Sequence, residues 1–343
     1  MTETVSDKQP LMGPKIALMG LGGTGKTYAI GTLVDWAAAN GFSIAVLFTE
    51  NGLETLLGYF RDHGREPPAC LYWHQQTTKP LSLKALMAAA DAVGRLSYKA
   101  LADSTDSNRG GENNAFWKIL GSCSNFIDDR TGKHLGPVDL WGDDGSRYFE
   151  DIDPNTGETI PKRLIQAQAT AYAEWQRQTK KYGLTPENEF GLRRIFVMDS
   201  LTETANAAMK MQIGSRPMAS PGDYGVAQNN LMNFLRLLTQ GMACPFVMTA
   251  HVDRETDQVT QSAKIMIKAI GKALATEIPT LFSDVIYATR EGDKFFWDTA
   301  AFGVDTKTRS LGYRSKIAPD FAQIFNVWAK RAGGGPIASL TKR

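Results

Sequence analysis

One eight-residue segment carries the strongest chemical signal in the sequence. Residues 20–27 read GLGGTGKT, a complete G-x-x-x-x-G-K-T pattern directly after an apolar run. Glycines let the backbone curl so that successive N–H groups face phosphate oxygens, and the start of a following helix adds positive partial charge. We expect Lys26 to reach the β- and γ-phosphates and the Thr27 hydroxyl to bind Mg²⁺. The alternative is a glycine-rich turn that merely joins a strand to a helix.

The pattern therefore predicts a site for ATP with Mg²⁺. The predicted nucleotide-binding residues are Gly20, Gly22, Gly23, Thr24, Gly25, Lys26, Thr27 and Tyr28.

A nucleotide site also needs a carboxylate near the metal, and Asp199 is the candidate. It follows the apolar run Ile195 to Met198, so it stands at the end of a predicted buried strand. An aspartate at that place would hold Mg²⁺ together with Thr27. The alternative is a helix-capping role, because Ser200 and Glu203 have the spacing of a capping box. Ser200 could cap the helix while Asp199 faces the metal.

Two further polar residues end apolar runs and are candidates for catalysis. Glu50 follows SIAVLFT, and a carboxylate there could deprotonate the attacking water. His251 follows PFVMTA and could sense the γ-phosphate. An ordinary surface glutamate and a histidine without a catalytic role are the alternatives. The predicted catalytic residues are Glu50, Lys26 and His251.

The elements that must position these residues are short buried strands alternating with helices. PKIALMG, SIAVLFTE, RRIFVMDS and CPFVMTAH are continuous apolar runs stopped by polar residues, which is typical of a parallel sheet. Helices are predicted over residues 26–40, ending at Gly41, and over residues 223–240. A hairpin is predicted around Gly292. Together they predict an α/β fold with a mainly parallel sheet flanked by helices.

A turn-rich insertion interrupts this core. We expect the core to comprise residues 14–99 and 190–330, with the insertion at 100–189 and flexible tails at 1–13 and 332–343. Residues 101–160 hold twelve acidic and five basic side chains and many Gly, Asn and Asp residues. We therefore expect the insertion to protrude and to supply little core.

Composition narrows the class of protein. The 343 residues carry a net charge of only +2, which argues against a protein that binds nucleic acid non-specifically through its overall positive charge. No apolar stretch is long enough to span a membrane, and the polar N-terminus lacks a signal-peptide layout. Three widely spaced cysteines fit a reducing interior. A cytoplasmic location, in a bacterial host if the gene is phage-borne, is expected.

With these motifs in this order, the chain resembles the RecA-like P-loop ATPases, and more closely their phage-encoded ATP-binding members, some of which act in single-strand annealing or recombination. The resemblance covers about residues 14–95 and 190–330 and is most specific at GLGGTGKT and VMDS. It implies that Glu50 activates water and that His251 senses the γ-phosphate. It also implies a homo-oligomer in which one subunit offers a cation to its neighbour's γ-phosphate.

The resemblance further implies two DNA-facing loops, at residues 211–223 and 252–272. The second holds four cations, Arg254, Lys264, Lys268 and Lys272, but also three carboxylates, so it is only mildly basic. The basic cluster at 307–316 offers Arg309 and Arg314 as candidate trans-acting cations. The alternative for that cluster is a solvated basic edge.

The leading hypothesis is an ATP hydrolase that couples its nucleotide state to the handling of single-stranded DNA. One alternative is a motor or packaging ATPase acting on duplex DNA or protein. Another is a nucleotide-dependent assembly switch that hardly turns over. No membrane partner is expected.

Overall fold

The computed structural model describes residues 13–76, 114–141, 193–214, 219–256 and 263–331. It also describes a few separate helical residues between positions 83 and 95, the strands at residues 149–152 and 159–161, and the helix at residues 166–182. The predicted C-terminal tail, nearly all of the predicted N-terminal tail and the middle of each predicted DNA-facing loop lie outside the described residues.

Thirteen strands are described, and seven of them form one sheet in the order β13-β12-β1-β9-β8-β2-β3. The strands are β1 (Lys15–Gly20), β2 (Ser43–Phe48), β3 (Leu71–Gln75), β4 (Phe126–Ile127), β5 (His134–Gly136), β6 (Phe149–Ile152), β7 (Thr159–Pro161), β8 (Arg194–Asp199), β9 (Phe246–Ala250), β10 (Val252–Thr256), β11 (Ala263–Ile267), β12 (Asp284–Glu291) and β13 (Lys294–Asp298). Within the large sheet every neighbouring pair is parallel except β12 and β13. The predicted hairpin is thus the antiparallel edge, and all four predicted strands are present.

Within the described residues, eight helices accompany these strands. They are α1 (Lys26–Ala39), α2 (Leu53–Asp62), α3 (Ala115–Ser124), α4 (Gln166–Tyr182), α5 (Leu201–Ile213), α6 (Pro221–Arg236), α7 (Gly271–Glu277) and α8 (Ala322–Arg331). The parallel strands alternate their side chains between two apolar cores: Ile16 and Leu18 face α1, α2 and α8, whereas Ala17 and Met19 face α3, α5, α6 and α7. The fold class is therefore the predicted one, an α/β sheet covered by helices on both faces.

The two predicted helices are confirmed with small shifts at their ends. Helix α1 ends at Ala39, and Gly41 follows with a φ of 70°. Helix α6 begins at Pro221, earlier than predicted, because Ser220 and Asp223 form a reciprocal capping box. Its last predicted turn is a π-helical segment, Leu237–Gly241.

The expectation that the insertion supplies little core is wrong for residues 114–141. Trp141 is fully buried and packs against Phe196 of β8 with ring centroids 5.8 Å apart. The Asp128 carboxylate accepts a hydrogen bond from the Trp73 backbone N–H of β3, at 3.0 Å. The turns in this segment connect short apolar stretches that pack on the face of the sheet. Its turn-rich composition therefore gave the wrong expectation about its burial. Trp117, by contrast, is half exposed.

Strand β3 is an element that the sequence interpretation missed. Its residues, LYWHQ, form the edge strand beside β2. The Asp128 carboxylate of the insertion hydrogen-bonds to the backbone of this strand. In the described part of the chain, no helix is both long and apolar enough to cross a bilayer.

Candidate nucleotide-binding and catalytic site

The parallel sheet brings the predicted site residues to one edge. Strands β1, β9, β8 and β2 are neighbours in that order and run in the same direction. Their carboxyl ends therefore meet, and the phosphate loop, His251, Asp199 and Glu50 follow from those four ends. Crevices outside the carboxyl ends of parallel strands are where open α/β sheets bind ligands.

The phosphate loop joins β1 to α1 and is held by its own side chains. Lys26 Nζ donates to the carbonyl oxygens of Gly20 at 3.0 Å and Leu21 at 2.7 Å. Gly25 has a φ of 76°, and a Cβ there would lie 3.0 Å from the ring of Phe295. Only glycine tolerates both conditions. Burial lowers the pKa of Lys26, and the nearby carboxylates of Asp199 and Glu50 oppose that shift.

Asp199 is the fully buried carboxylate of the site. Its Oδ2 accepts a hydrogen bond from Thr27 Oγ1 at 2.8 Å, and its Oδ1 accepts one from Thr249 Oγ1. Burial raises the pKa of Asp199, and the two hydroxyl donors work against that rise. The structure thus joins both predicted metal ligands, Thr27 and Asp199, directly. Thr249 was missed, although a hydroxyl inside the apolar run PFVMTA was a signal for it.

Glu50 and His251 form a second pair at the same edge. The nearest atoms, Glu50 Oε2 and His251 Nε2, are 3.5 Å apart. The interaction with His251 lowers the pKa of Glu50, while partial burial pushes it the other way. The backbone N–H of His251 donates to Thr202 Oγ1 at 3.0 Å, which fixes the end of β9 against α5. The proposed base and the proposed sensor therefore lie side by side.

A backbone junction sets the distance between Glu50 and Asp199. Thr49 Oγ1 donates to the Ser200 carbonyl at 2.8 Å and accepts from the Ser200 N–H at 2.9 Å. A Cβ at Gly52 would lie 2.5 Å from Asp199 Oδ2, so only glycine fits between the start of α2 and the carboxylate. Neither Thr49 nor Gly52 was predicted.

The capping-box prediction at Ser200 is wrong in its details. Ser200 does occupy the N-cap position of α5, but its side chain makes no hydrogen bond to the backbone of this described helix. The buried junction with Thr49 uses the backbone of Ser200 instead.

The residues present fit Mg²⁺ and a nucleotide phosphate chain. A Cβ on Gly22 or Gly23 would meet no atom within 4 Å, so the space over the loop is open. The hydroxyl of Thr27 and the carboxylate of Asp199 are oxygen ligands of the type that Mg²⁺ prefers. Lys26 holds its ammonium against two loop carbonyls, where phosphate oxygens could replace them.

Tyr28 and the two candidate trans-acting arginines lie apart from this cluster. Tyr28 packs its ring on Tyr59 of α2, with centroids 5.0 Å apart. The Arg309 backbone N–H donates to Asp284 at the start of β12, the end of the sheet opposite to the phosphate loop. The Arg314 backbone lies beside Thr299, just after β13. Both arginines are exposed.

The predicted DNA-contacting residues belong to the hairpin β10–β11 and the segment after it. Arg254 is exposed on β10. The three lysines are paired with carboxylates: Lys264 with Asp305 at 2.9 Å, Lys268 with Asp253 at 3.8 Å, and Lys272 with Glu255. Exposed pairs of this kind contribute little stability, so an incoming phosphate could exchange with them.

Comparison with known proteins adds structures that this chain is similar to. No model of a known protein family matches the chain, and no curated protein does. A prototypical ATPase from the type III secretion system of pathogenic bacteria is 14% identical with a TM-score of 0.34, covering 81% of this chain and 53% of that one. The ATPase EscN, assembled with its central stalk EscO from the enteropathogenic E. coli type III secretion system, is 13% identical with a TM-score of 0.36, covering 88% and 48%.

The chain therefore spans about half the length of these two structures.

Proposed function

We propose that this chain binds ATP with Mg²⁺ at residues 20–27 and hydrolyses it. The observation that carries the proposal is the convergence of four side chains, one from the start of α1 and three from the ends of separate strands: Thr27 bonded to Asp199, and Glu50 paired with His251, all at the carboxyl edge beside the phosphate loop. A glycine-rich turn with no ligand would not require a fully buried carboxylate beside it, since burying an ionised group is costly.

Each residue has a distinct part in the proposed reaction. The loop N–H groups and Lys26 hold the phosphate oxygens, and Thr27 and Asp199 would hold the metal. Bound Mg²⁺ supplies positive charge that neutralises the phosphates as the terminal phosphoryl group leaves. Glu50 takes a proton from the attacking water at its carboxylate, which its lowered pKa keeps ionised at neutral pH.

His251 connects this chemistry to the hairpin β10–β11. It lies between Ala250, the last residue of β9, and Val252, the first residue of β10. Its carbonyl also accepts a hydrogen bond from the Lys268 N–H, at 2.9 Å, just after β11. A γ-phosphate that draws His251 away from Glu50 would therefore move both ends of the hairpin.

We propose that this hairpin is where the nucleotide state reaches single-stranded DNA, in a cytoplasmic homo-oligomer of the phage recombination or annealing type. The support is the position of the four cations on and beside the hairpin. The pairing of the three lysines among them with Asp305, Asp253 and Glu255 favours the second candidate, an assembly switch, because a hairpin with nearly balanced charge attracts a polyanion only weakly.

The ATPase proposal is tested with two variants. Lys26→Ala should abolish hydrolysis and weaken binding, whereas Glu50→Gln should keep ATP affinity and lose turnover by about 10²–10⁴-fold. Mg-ATP at a hundredfold excess over its Kd should stabilise the parent by about 2.7 kcal/mol. Arg61→Ala, which removes an exposed cation on α2, is the control. An unchanged melting curve at millimolar Mg-ATP would contradict the nucleotide site itself.

The DNA proposal is tested by fluorescence anisotropy with a labelled single strand across a salt series. Changing Lys264, Lys268 and Lys272 together to Ala should flatten the log–log salt slope by about 2. ATP hydrolysis should survive. Binding that is absent at low salt with ATP present would leave the assembly switch, which predicts a nucleotide-dependent change in oligomer size.

A further inference from the structure

A pocket lies at the end of the sheet opposite to the phosphate loop. It has a volume of about 330 Å³ and is lined by Lys15 and Asp284, the first residues of β1 and β12. The loop at residues 307–310 and the end of α8 complete its wall. Its size is at the lower end of small-molecule sites, which span about 300–1,000 Å³. The catalytic cluster does not use it.

The pocket is strongly cationic. Four of its lining side chains are basic: Lys15, Lys307, Arg309 and Arg331. Its carboxylate, that of Asp284, is fully buried and already accepts hydrogen bonds from the Arg309 and Ser310 N–H groups at 2.9 and 3.1 Å and from two hydroxyls. Asp284 is therefore committed to shaping the loop.

Three of these basic side chains donate hydrogen bonds to backbone carbonyl groups. Lys307 Nζ donates to the Phe282 carbonyl at 2.8 Å, and Arg331 Nη1 donates to the Arg309 carbonyl at 2.9 Å. Lys15 Nζ likewise donates to two carbonyls. Within the described residues none of the four makes an ion pair. Lys307, Arg309 and Arg331 have more N–H groups than these bonds use, so donors remain for a ligand, whereas the buried Lys15 ammonium faces the Met242 and Cys244 carbonyls, which do not line the pocket.

An indole lies in the wall of the pocket. Trp328 lines the pocket, and its buried Nε1–H makes no hydrogen bond within the part of the chain that the structure describes. Buried polar groups are nearly always hydrogen-bonded, so one that is not needs an explanation. This nitrogen is closed off from solvent, so the ring reports on what occupies the pocket and does not itself contact a ligand oxygen.

We propose that this pocket binds a small phosphate-bearing polyanion, at a site separate from the phosphate loop. The accessible cations come from the loop at residues 307–310 and the end of α8, so a ligand that carries several anionic oxygens would contact them from two sides. Guanidinium groups suit phosphate because their planar N–H forks match its geometry. Under this proposal Arg309 contacts the ligand within its own subunit, in place of the trans-acting role that the sequence suggested.

The test uses Lys26→Ala protein, in which the phosphate-loop lysine is missing, and pyrophosphate as the probe. Calorimetric titration should still detect one binding site per chain. Adding Arg309→Ala or Arg331→Ala should weaken that binding by about tenfold or more, since a hydrogen bond to a charged group is lost. Adding Arg61→Ala, which removes one exposed cation from α2, should leave it unchanged.

Trp328 gives a second readout that leaves the cations of the pocket unchanged. In ¹⁵N-labelled Lys26→Ala protein, the side-chain N–H resonance that Trp328→Phe removes should move on addition of pyrophosphate. The chemical shift of the Trp117 side-chain N–H should not change, because Trp117 is half exposed and does not line the pocket.

Four outcomes would overturn the proposal. They are no binding by Lys26→Ala protein at millimolar pyrophosphate, binding that the Arg309 and Arg331 variants leave intact, tighter binding of citrate than of pyrophosphate, and displacement of pyrophosphate by a single-stranded oligonucleotide. The last would assign the pocket to nucleic acid.

Discussion

Thr249→Val is a sharp test of how hydroxyl donors oppose the burial that raises the pKa of Asp199. The substitution preserves side-chain volume and removes the hydroxyl that donates to Asp199 Oδ1, leaving Thr27 as the remaining hydroxyl donor on this carboxylate. A hydrogen bond to a charged group contributes about 1.5–3 kcal/mol, against about 0.5–1.5 kcal/mol for a neutral one. We therefore expect Thr249→Val to lower the free energy of unfolding by about 2 kcal/mol at a pH where Asp199 is ionised.

The matched control is Thr204→Val. Thr204 is equally buried, but its hydroxyl donates to the neutral Ser200 carbonyl, at 2.9 Å. We expect this control to cost about 1 kcal/mol. Both variants are measured by equilibrium urea unfolding, with the midpoint and the slope compared at each pH.

The pH dependence separates charge from packing. Burial raises the pKa of Asp199 in the folded protein, and losing the Thr249 donor should raise it further. The extra cost of Thr249→Val is therefore full where Asp199 is ionised and disappears as the pH falls through its raised pKa. The Thr204→Val cost should not change. Equal costs for the two variants, or a Thr249→Val cost that is constant from pH 8 to pH 4, would refute the reasoning.

Three further predictions follow from the same contacts. His251→Ala should move the acidic limb of the pH–rate profile to higher pH, because the interaction with His251 is the largest effect lowering the pKa of Glu50; an unmoved limb would exclude the pairing. Asp199→Asn should stabilise the protein in the absence of ligand, by removing a buried charge, while abolishing the gain in melting temperature from Mg-ATP. Trp141→Ala should cost about 3–5 kcal/mol in urea unfolding, whereas Trp117→Ala should cost far less because that side chain is half exposed.

The sequence determined the strands and the loop between β1 and α1 because those signals are local. A continuous apolar run stopped by a polar residue specifies a buried strand wherever it falls in the chain. A G-x-x-x-x-G-K-T segment specifies its own backbone path, so Lys26 and Thr27 were found without knowledge of the fold. Asp199, Glu50 and His251 were found because each ends such a run.

The tertiary structure decided which of these ends became neighbours. Thr249 reaches Asp199 only because β9 lies between β1 and β8, an order that no local pattern encodes. Gly52 is required because α2 starts against a carboxylate 147 positions away in the chain.

Burial in the insertion was decided in the same way. Trp141 lies in a turn-rich acidic segment, and its place in the core depends on an apolar sheet face at Phe196. The sequence pattern of a segment shows which of its side chains are apolar enough to be buried. The surface against which they pack is set by the tertiary structure of the whole chain.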